Sequence, residues 1–116
     1  EAGVRQAASD IVASGAAELV AITMGVDGAL LASARGVLRV PAIHVRVRSA
    51  LGAGDSFLGA MVWALSEGRT PEEAFRLGIA AGAAAVMKPG FELCRREEVL
   101  ALNAAALSAG SEGQTR

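Results

Sequence analysis

Apolar positions open the chain in a helical rhythm. Val4, Ala7, Ala8, Ile11 and Val12 recur at spacings of three and four, which predicts an amphipathic helix that Gly15 can end. The run "ELVAIT" (18–23) is short, apolar and partly β-branched, as a buried strand requires. After the turn "MGVDG", "ALLAS" (29–33) reads as a second strand, and "ARG" (34–36) turns it into "VLRV" (37–40) as a hairpin. Pro41 interrupts that pairing. "IHVRVR" (43–48) then alternates, with Ile43, Val45 and Val47 on one face and His44, Arg46 and Arg48 on the other, and predicts a fourth strand.

From Asp55 onward the period becomes helical. Phe57, Leu58, Met61, Val62 and Leu65 form an apolar stripe, and Gly59, Ala60 and Ala64 permit close approach. "GRTPEEAF" is a helix start, with Thr70 as N-cap, Pro71 in the first helical position and Glu73 three residues after the cap. That helix runs to Lys88, where Pro89 stops it. A third helix is expected over about 95–107, and residues 109–116 lack periodicity and read as a disordered tail. The predicted order is α-β-β-β-β-α-α-α, an α/β piece in which residues 1–108 are the folded part.

Composition narrows the functional classes. The chain has 116 residues with 11 Lys+Arg against 12 Asp+Glu, so it lacks the basic field of a nucleic-acid binder. One Cys and one His are too few for a zinc site of those ligands, and a single thiol suits a reducing, cytoplasmic setting. Asp55 and Ser66–Glu67 break the most apolar region well short of the roughly 18 residues that a membrane span needs. No secretory leader opens the chain, and a first residue of Glu1 within a helical pattern reads as part of a longer protein.

Small side chains concentrate where chemistry is wanted. In "LGAGD" (51–55), Gly52 and Gly54 let an anion approach the backbone, and successive N–H groups before a helix converge as a nest at the positive end of its dipole. Asp55 beside such a nest is suited to accept a proton from a hydroxyl that attacks phosphorus. On spacing alone the same string also serves as a helix cap, because Asp is a favoured N-cap. Neither nucleotide fingerprint, G-x-G-x-x-G or G-x-x-x-x-G-K-[ST], is present here.

The stretch "SALGAGDSFLGAMV" closely resembles the C-terminal signature of the ribokinase-like (PfkB) carbohydrate kinases. "AITMGVDGALLA" is similar to that family's strand–turn–strand at the nucleotide site. "TPEEAFRLGIAAGAAAVMKPGFELC" resembles its helix over the adenine and the loop after it. These blocks follow the family's order and spacing over about 4–107, and "VPAIHVRVRSALGAGDS" and "GFELC" most resemble the minor-type 6-phosphofructokinases. The resemblance implies the C-terminal part of a three-layer α/β/α fold. It also implies ATP-dependent phosphoryl transfer to a sugar-phosphate hydroxyl, fructose 6-phosphate giving fructose 1,6-bisphosphate.

Residue roles are carried over on the same basis. Asp55 matches the catalytic base, and Gly52, Ala53 and Gly54 match the anion hole. Thr23, Met24, Gly25, Val26, Asp27 and Gly28 match the nucleotide turn, with Val47, Ile79 and Ala83 against the adenosine. Ser49, Leu51, Ala85, Lys88, Gly90 and Glu92 align with a monovalent-cation site, so potassium is expected as an activator beside ATP and Mg²⁺. Ala50, Phe91 and Lys88 depart from the family's usual Thr, small hydroxyl residue and Asn.

The sugar-binding strands, the lid and the Mg²⁺-positioning motif are implied to lie before residue 1. The partners implied are therefore ATP, a sugar or sugar phosphate, the rest of the kinase domain and, for the full-length protein, a second copy in a homodimer. This chain by itself is expected to be inactive and to expose apolar surface. A non-catalytic nucleotide- or anion-binding module that keeps the fold is the alternative.

Overall fold

The computed structural model describes residues 1–49, 51–88 and 95–114, with side chains to residue 109. Two compact units, Glu1–Ala42 and Ile43–Arg116, are described in turn.

In the first unit, helix α1 spans Ala2–Ala13 and buries Ala8. Three strands follow, β1 (Val20–Thr23), β2 (Ala29–Ser33) and β3 (Gly36–Val40), in an antiparallel meander of order β1-β2-β3. Ala29, Leu30, Leu31 and Ala32 of the central strand β2 are all buried, which explains why "ALLA" is apolar without alternation. Thr23 pairs with Ala29, and Ala29 with Val40, so the β1–β2 turn opens at the same end of the sheet as the end of β3.

The fourth expected strand is absent. Residues 43–48 pair in no ladder, although Ile43 and Val45 are half-buried and His44 and Arg46 exposed. Alternation supplies a face, but a strand also needs a hydrogen-bonded neighbour. Here the N–H groups of Arg48 and Ser49 donate instead to the Val86 carbonyl, at 2.6 and 3.1 Å.

The second unit is helical: α2 (Ala53–Ser66), α3 (Pro71–Val86) and α4 (Arg96–Gln114). The start of α3 is as expected, for Thr70 Oγ1 accepts from the Glu73 N–H at 3.2 Å and Pro71 holds the first position. Helix α4 continues past the expected end near Leu107 into the segment expected to be disordered, because each added residue costs less once a helix is nucleated.

Small residues let α2 and α3 meet closely. A methyl group on Gly78 would stand 2.9 Å from the Phe57 carbonyl oxygen, and one on Gly82 would stand 3.3 Å from that of Ala53. Phe57 meets Phe75 edge-on, with ring centroids 5.9 Å apart. The first turn of α2 is thereby locked onto α3. Arg69 and Arg96 place guanidinium groups 5.7 and 5.1 Å from the Trp63 ring centre, and Trp63 and Arg96 line a groove of about 200 Å³ among α2, α3 and α4. Leu58 and Val62 lie one turn apart on α2 and are more than half exposed, as the expected apolar surface would be.

Candidate active site

The backbone identifies the cap in "LGAGD". Gly52, not Asp55, is the N-cap of α2, at φ +81° and ψ 0°, and no side chain caps this helix. Left-handed backbone of this kind favours glycine, and the space beside Gly52 is open, with nothing within 4 Å of a Cβ added there. The Gly52 carbonyl accepts from the Ser56 N–H at 2.9 Å and starts the helical ladder. The N–H groups of Ala53, Gly54 and Asp55 are first-turn donors with no partner among the described residues, at the helix end where the dipole is positive. Asp55 is the third residue of the helix and is exposed, and its carboxylate makes no hydrogen bond among the described residues.

Three ties position this loop. Gly82 lies under the Ala53 carbonyl, Phe57 is buried against Gly78 and Phe75, and the Val86 carbonyl holds the N–H groups of Arg48 and Ser49. Ser49 Oγ accepts from the Leu51 N–H at 3.1 Å and shapes the approach to Gly52. Val47 is exposed just before this tie, and Ile79 and Ala83 are half-buried one turn apart on α3.

The aligned cation positions are described in part. Ser49, Leu51, Ala85 and Lys88 lie within this unit, whereas Gly90 and Glu92 are outside the described residues, as are Ala50 and Phe91. The Ala85 carbonyl accepts from the Lys88 N–H at 3.2 Å, and those of Ser49, Leu51 and Lys88 accept from no described residue. Such free carbonyl oxygens suit a hard monovalent cation. The Lys88 ammonium is engaged elsewhere, 2.7 Å from Glu98 Oε2. Its hydrogen bond, with that from the Arg95 N–H, holds the Glu98 carboxyl below its usual range. The two residues stand ten apart, beyond the i, i+4 spacing at which sequence reads an ion pair.

The turn expected to meet the nucleotide belongs to the first unit. A single turn of 3-10 helix over Gly25–Asp27 links β1 to β2. The Met24 N–H donates to the Gly28 carbonyl at 2.8 Å, and those of Asp27 and Gly28 close back on Met24 and Gly25 at 3.1 Å. Thr23, Gly25, Val26 and Asp27 are exposed, Met24 is half-buried and Gly28 is buried. Gly28 has φ +91°, and a Cβ there would meet the Val40 carbonyl oxygen at 2.4 Å, so no other residue fits. One contributor escaped sequence reasoning. Arg39, from β3, donates through Nη2 to the Asp27 carbonyl at 2.8 Å.

Comparison with known proteins decides the lineage. The profile of the pfkB family carbohydrate kinases matches residues 1–98. The chain belongs to that family. It is 41% identical over 95 residues to ATP-dependent 6-phosphofructokinase isozyme 2 of Escherichia coli strain K12, covering 82% of this chain and 31% of that protein. Its structure resembles the Escherichia coli phosphofructokinase-2 solved in complex with potassium, with a TM-score of 0.83 and 39% identity over 89% of this chain and 33% of that one. A ribokinase from Thermotoga maritima aligns with a TM-score of 0.77 and 37% identity, over 85% and 34% of the respective chains. The fold is therefore the ribokinase-like α/β fold, of which this chain spans about a third by the length of those relatives.

Proposed function

We propose that the full-length protein transfers the γ-phosphoryl group of ATP to a hydroxyl of a sugar phosphate, with fructose 6-phosphate as the acceptor. One observation carries this reading: three N–H groups and a carboxylate with no partner among the described residues share the start of α2, and no side chain caps that helix. In the reaction the acceptor oxygen forms a bond to the γ-phosphorus as its proton passes to Asp55. The bond from that phosphorus to the bridging oxygen breaks, and ADP leaves with the electron pair. The N–H groups of Ala53, Gly54 and Asp55 are set to stabilise the charge on the transferring group without reorganising.

Thr23–Gly28, Val47, Ile79 and Ala83 are assigned to the nucleotide. Ser49, Leu51, Ala85, Lys88, Gly90 and Glu92 are assigned to potassium, which would tighten the glycine loop. The Lys88–Glu98 pair supports this, because it keeps the ammonium from standing in for the ion. Mg²⁺ would neutralise charge on the nucleotide phosphates, and no residue of this chain is assigned to it.

We also infer that the 116 residues alone lack turnover, and that Leu58 and Val62 face the rest of the kinase domain. Among the described residues no helix is long and apolar enough to cross a membrane. A cytoplasmic protein is the reading that follows from the sequence. No observation on this chain favours a homodimer over a larger assembly, and Escherichia coli phosphofructokinase-2 is known in a tetrameric inhibited form.

The test is ADP release by the full-length protein with ATP and a panel of phosphosugars. Release dependent on fructose 6-phosphate is expected. ATP binding with no acceptor-dependent release would favour the non-catalytic module instead.

A further inference from the structure

We propose that Arg39 is a positioning residue for nucleotide binding, fixing the shape of the Thr23–Gly28 turn by holding the Asp27 carbonyl. This rests on the reading of that turn as the nucleotide contact. The turn projects from the sheet, with Val26 81% exposed, so side-chain packing does little to define its shape. Its exit is fixed by Gly28, wedged against the Val40 carbonyl and Pro41. Between entry and exit, the Asp27–Gly28 peptide is gripped at both edges: its N–H donates to the Gly25 carbonyl at 3.1 Å, and its carbonyl accepts from Arg39 Nη2 at 2.8 Å.

The guanidinium reaches this point because of strand register. Leu30 pairs with Arg39, one position along from the Ala29–Val40 pair that ends the ladder beside the turn. A second contact sets its orientation, for Arg39 Nε donates to Glu1 Oε1 at 3.0 Å. Glu1 is steadied in turn by Arg5 Nη2 at 3.9 Å. Its carboxyl lies below the usual range, chiefly through the Arg39 hydrogen bond. Both partners of the ion pair are about two-fifths exposed, at 40% and 41%, so the pair contributes little to global stability. The directional bond to the Asp27 carbonyl is the larger consequence. Planar guanidinium geometry permits the two contacts at once, which a lysine ammonium reproduces only in part.

The full-length protein is compared with its Arg39→Gln, Arg39→Lys and Glu1→Gln variants by steady-state kinetics, by binding of a fluorescent ATP analogue and by thermal melting. Arg39→Gln is expected to raise the KM for ATP and the analogue's Kd about five- to tenfold, as loss of a charge-assisted hydrogen bond would. Its kcat and acceptor KM should stay within about twofold of wild type. Arg39→Lys should recover part of the ATP affinity, and Glu1→Gln should shift it by less than about twofold. Unchanged ATP affinity in Arg39→Gln, with wild type binding normally, overturns the role of Arg39 alone. So does a parallel loss in kcat, acceptor KM and melting temperature. A wild type that binds no ATP overturns the nucleotide reading of the turn and this proposal with it.

Discussion

Gly28 and Gly52 both hold positive φ, at +91° and +81°, but their surroundings are opposite. Gly28 is buried, its missing side chain replaced by the Val40 carbonyl, and the turn before it is tied by Arg39. Gly52 has open space beside it, and the N–H groups that follow it have no partner among the described residues. One glycine serves the fold, and the other is the one the proposed function assigns to the bound anion. The contrast separates a glycine turn whose polar groups are satisfied within the fold from one whose donors meet no partner among the described residues.

Substitutions in the full-length protein can break this contrast. The largest effect is expected at Asp55→Asn, which should lower kcat about 1,000-fold, as loss of a general base does, while the Kd for ATP stays close to wild type. Next, Gly28→Ala should lower unfolding free energy by about 3 kcal/mol in denaturant titrations, combining positive-φ strain with a backbone clash. Gly52→Ala should lower kcat about 100-fold by disordering the anion-binding donors, yet cost only about 1 kcal/mol of stability, since nothing blocks the added methyl. Equal stability losses at the two glycines would erase the contrast.

A smaller effect, about 1–2 kcal/mol of overpacking, is expected at Gly78→Ala. It should come with a measurable loss of turnover, because Phe57 and the first turn of α2 must shift. The smallest effect concerns Glu98. A carboxyl held low in the folded state stabilises the protein above the ordinary carboxylate range, and that contribution fades as pH falls through the lowered value. Lys88→Met should move the Glu98 titration upward in carbon-detected NMR, with the Arg95 N–H still holding part of the shift.

Local chemistry was the most legible part of the sequence. Thr70, Pro71 and Glu73 predicted the start of α3, and "ALLAS" predicted β2 with its observed bounds, because caps and strand runs are written in adjacent residues. The glycine loop was legible as an anion site or a cap. The backbone makes Gly52 the cap and leaves the Asp55 carboxylate without a hydrogen bond among the described residues, a choice of residue that adjacent sequence does not dictate.

What depended on distant partners was not legible. "IHVRVR" has a strand's alternation but pairs with no strand among the described residues, and the N–H groups of its last residue, Arg48, and of Ser49 go to Val86 at the far end of α3. Nothing in the residues around Arg39 pointed to the Asp27 carbonyl, which only strand register brings beside it. Lys88, a departure from the family's usual Asn, pairs with Glu98 ten residues on, which local sequence does not show. The reach of α4 to Gln114 was masked by the glycines of the tail.

The central claim is that the start of α2 receives the transferring phosphoryl group, with Asp55 facing the acceptor. A crystal structure of the full-length protein with ADP, aluminium fluoride and fructose 6-phosphate tests it most directly. The account predicts the phosphoryl mimic at about 2.7–3.1 Å from N–H groups of residues 53–55, with the Asp55 carboxylate hydrogen-bonded to the acceptor hydroxyl. An anion bound away from this loop, or an Asp55 turned back to cap its own helix, would contradict it.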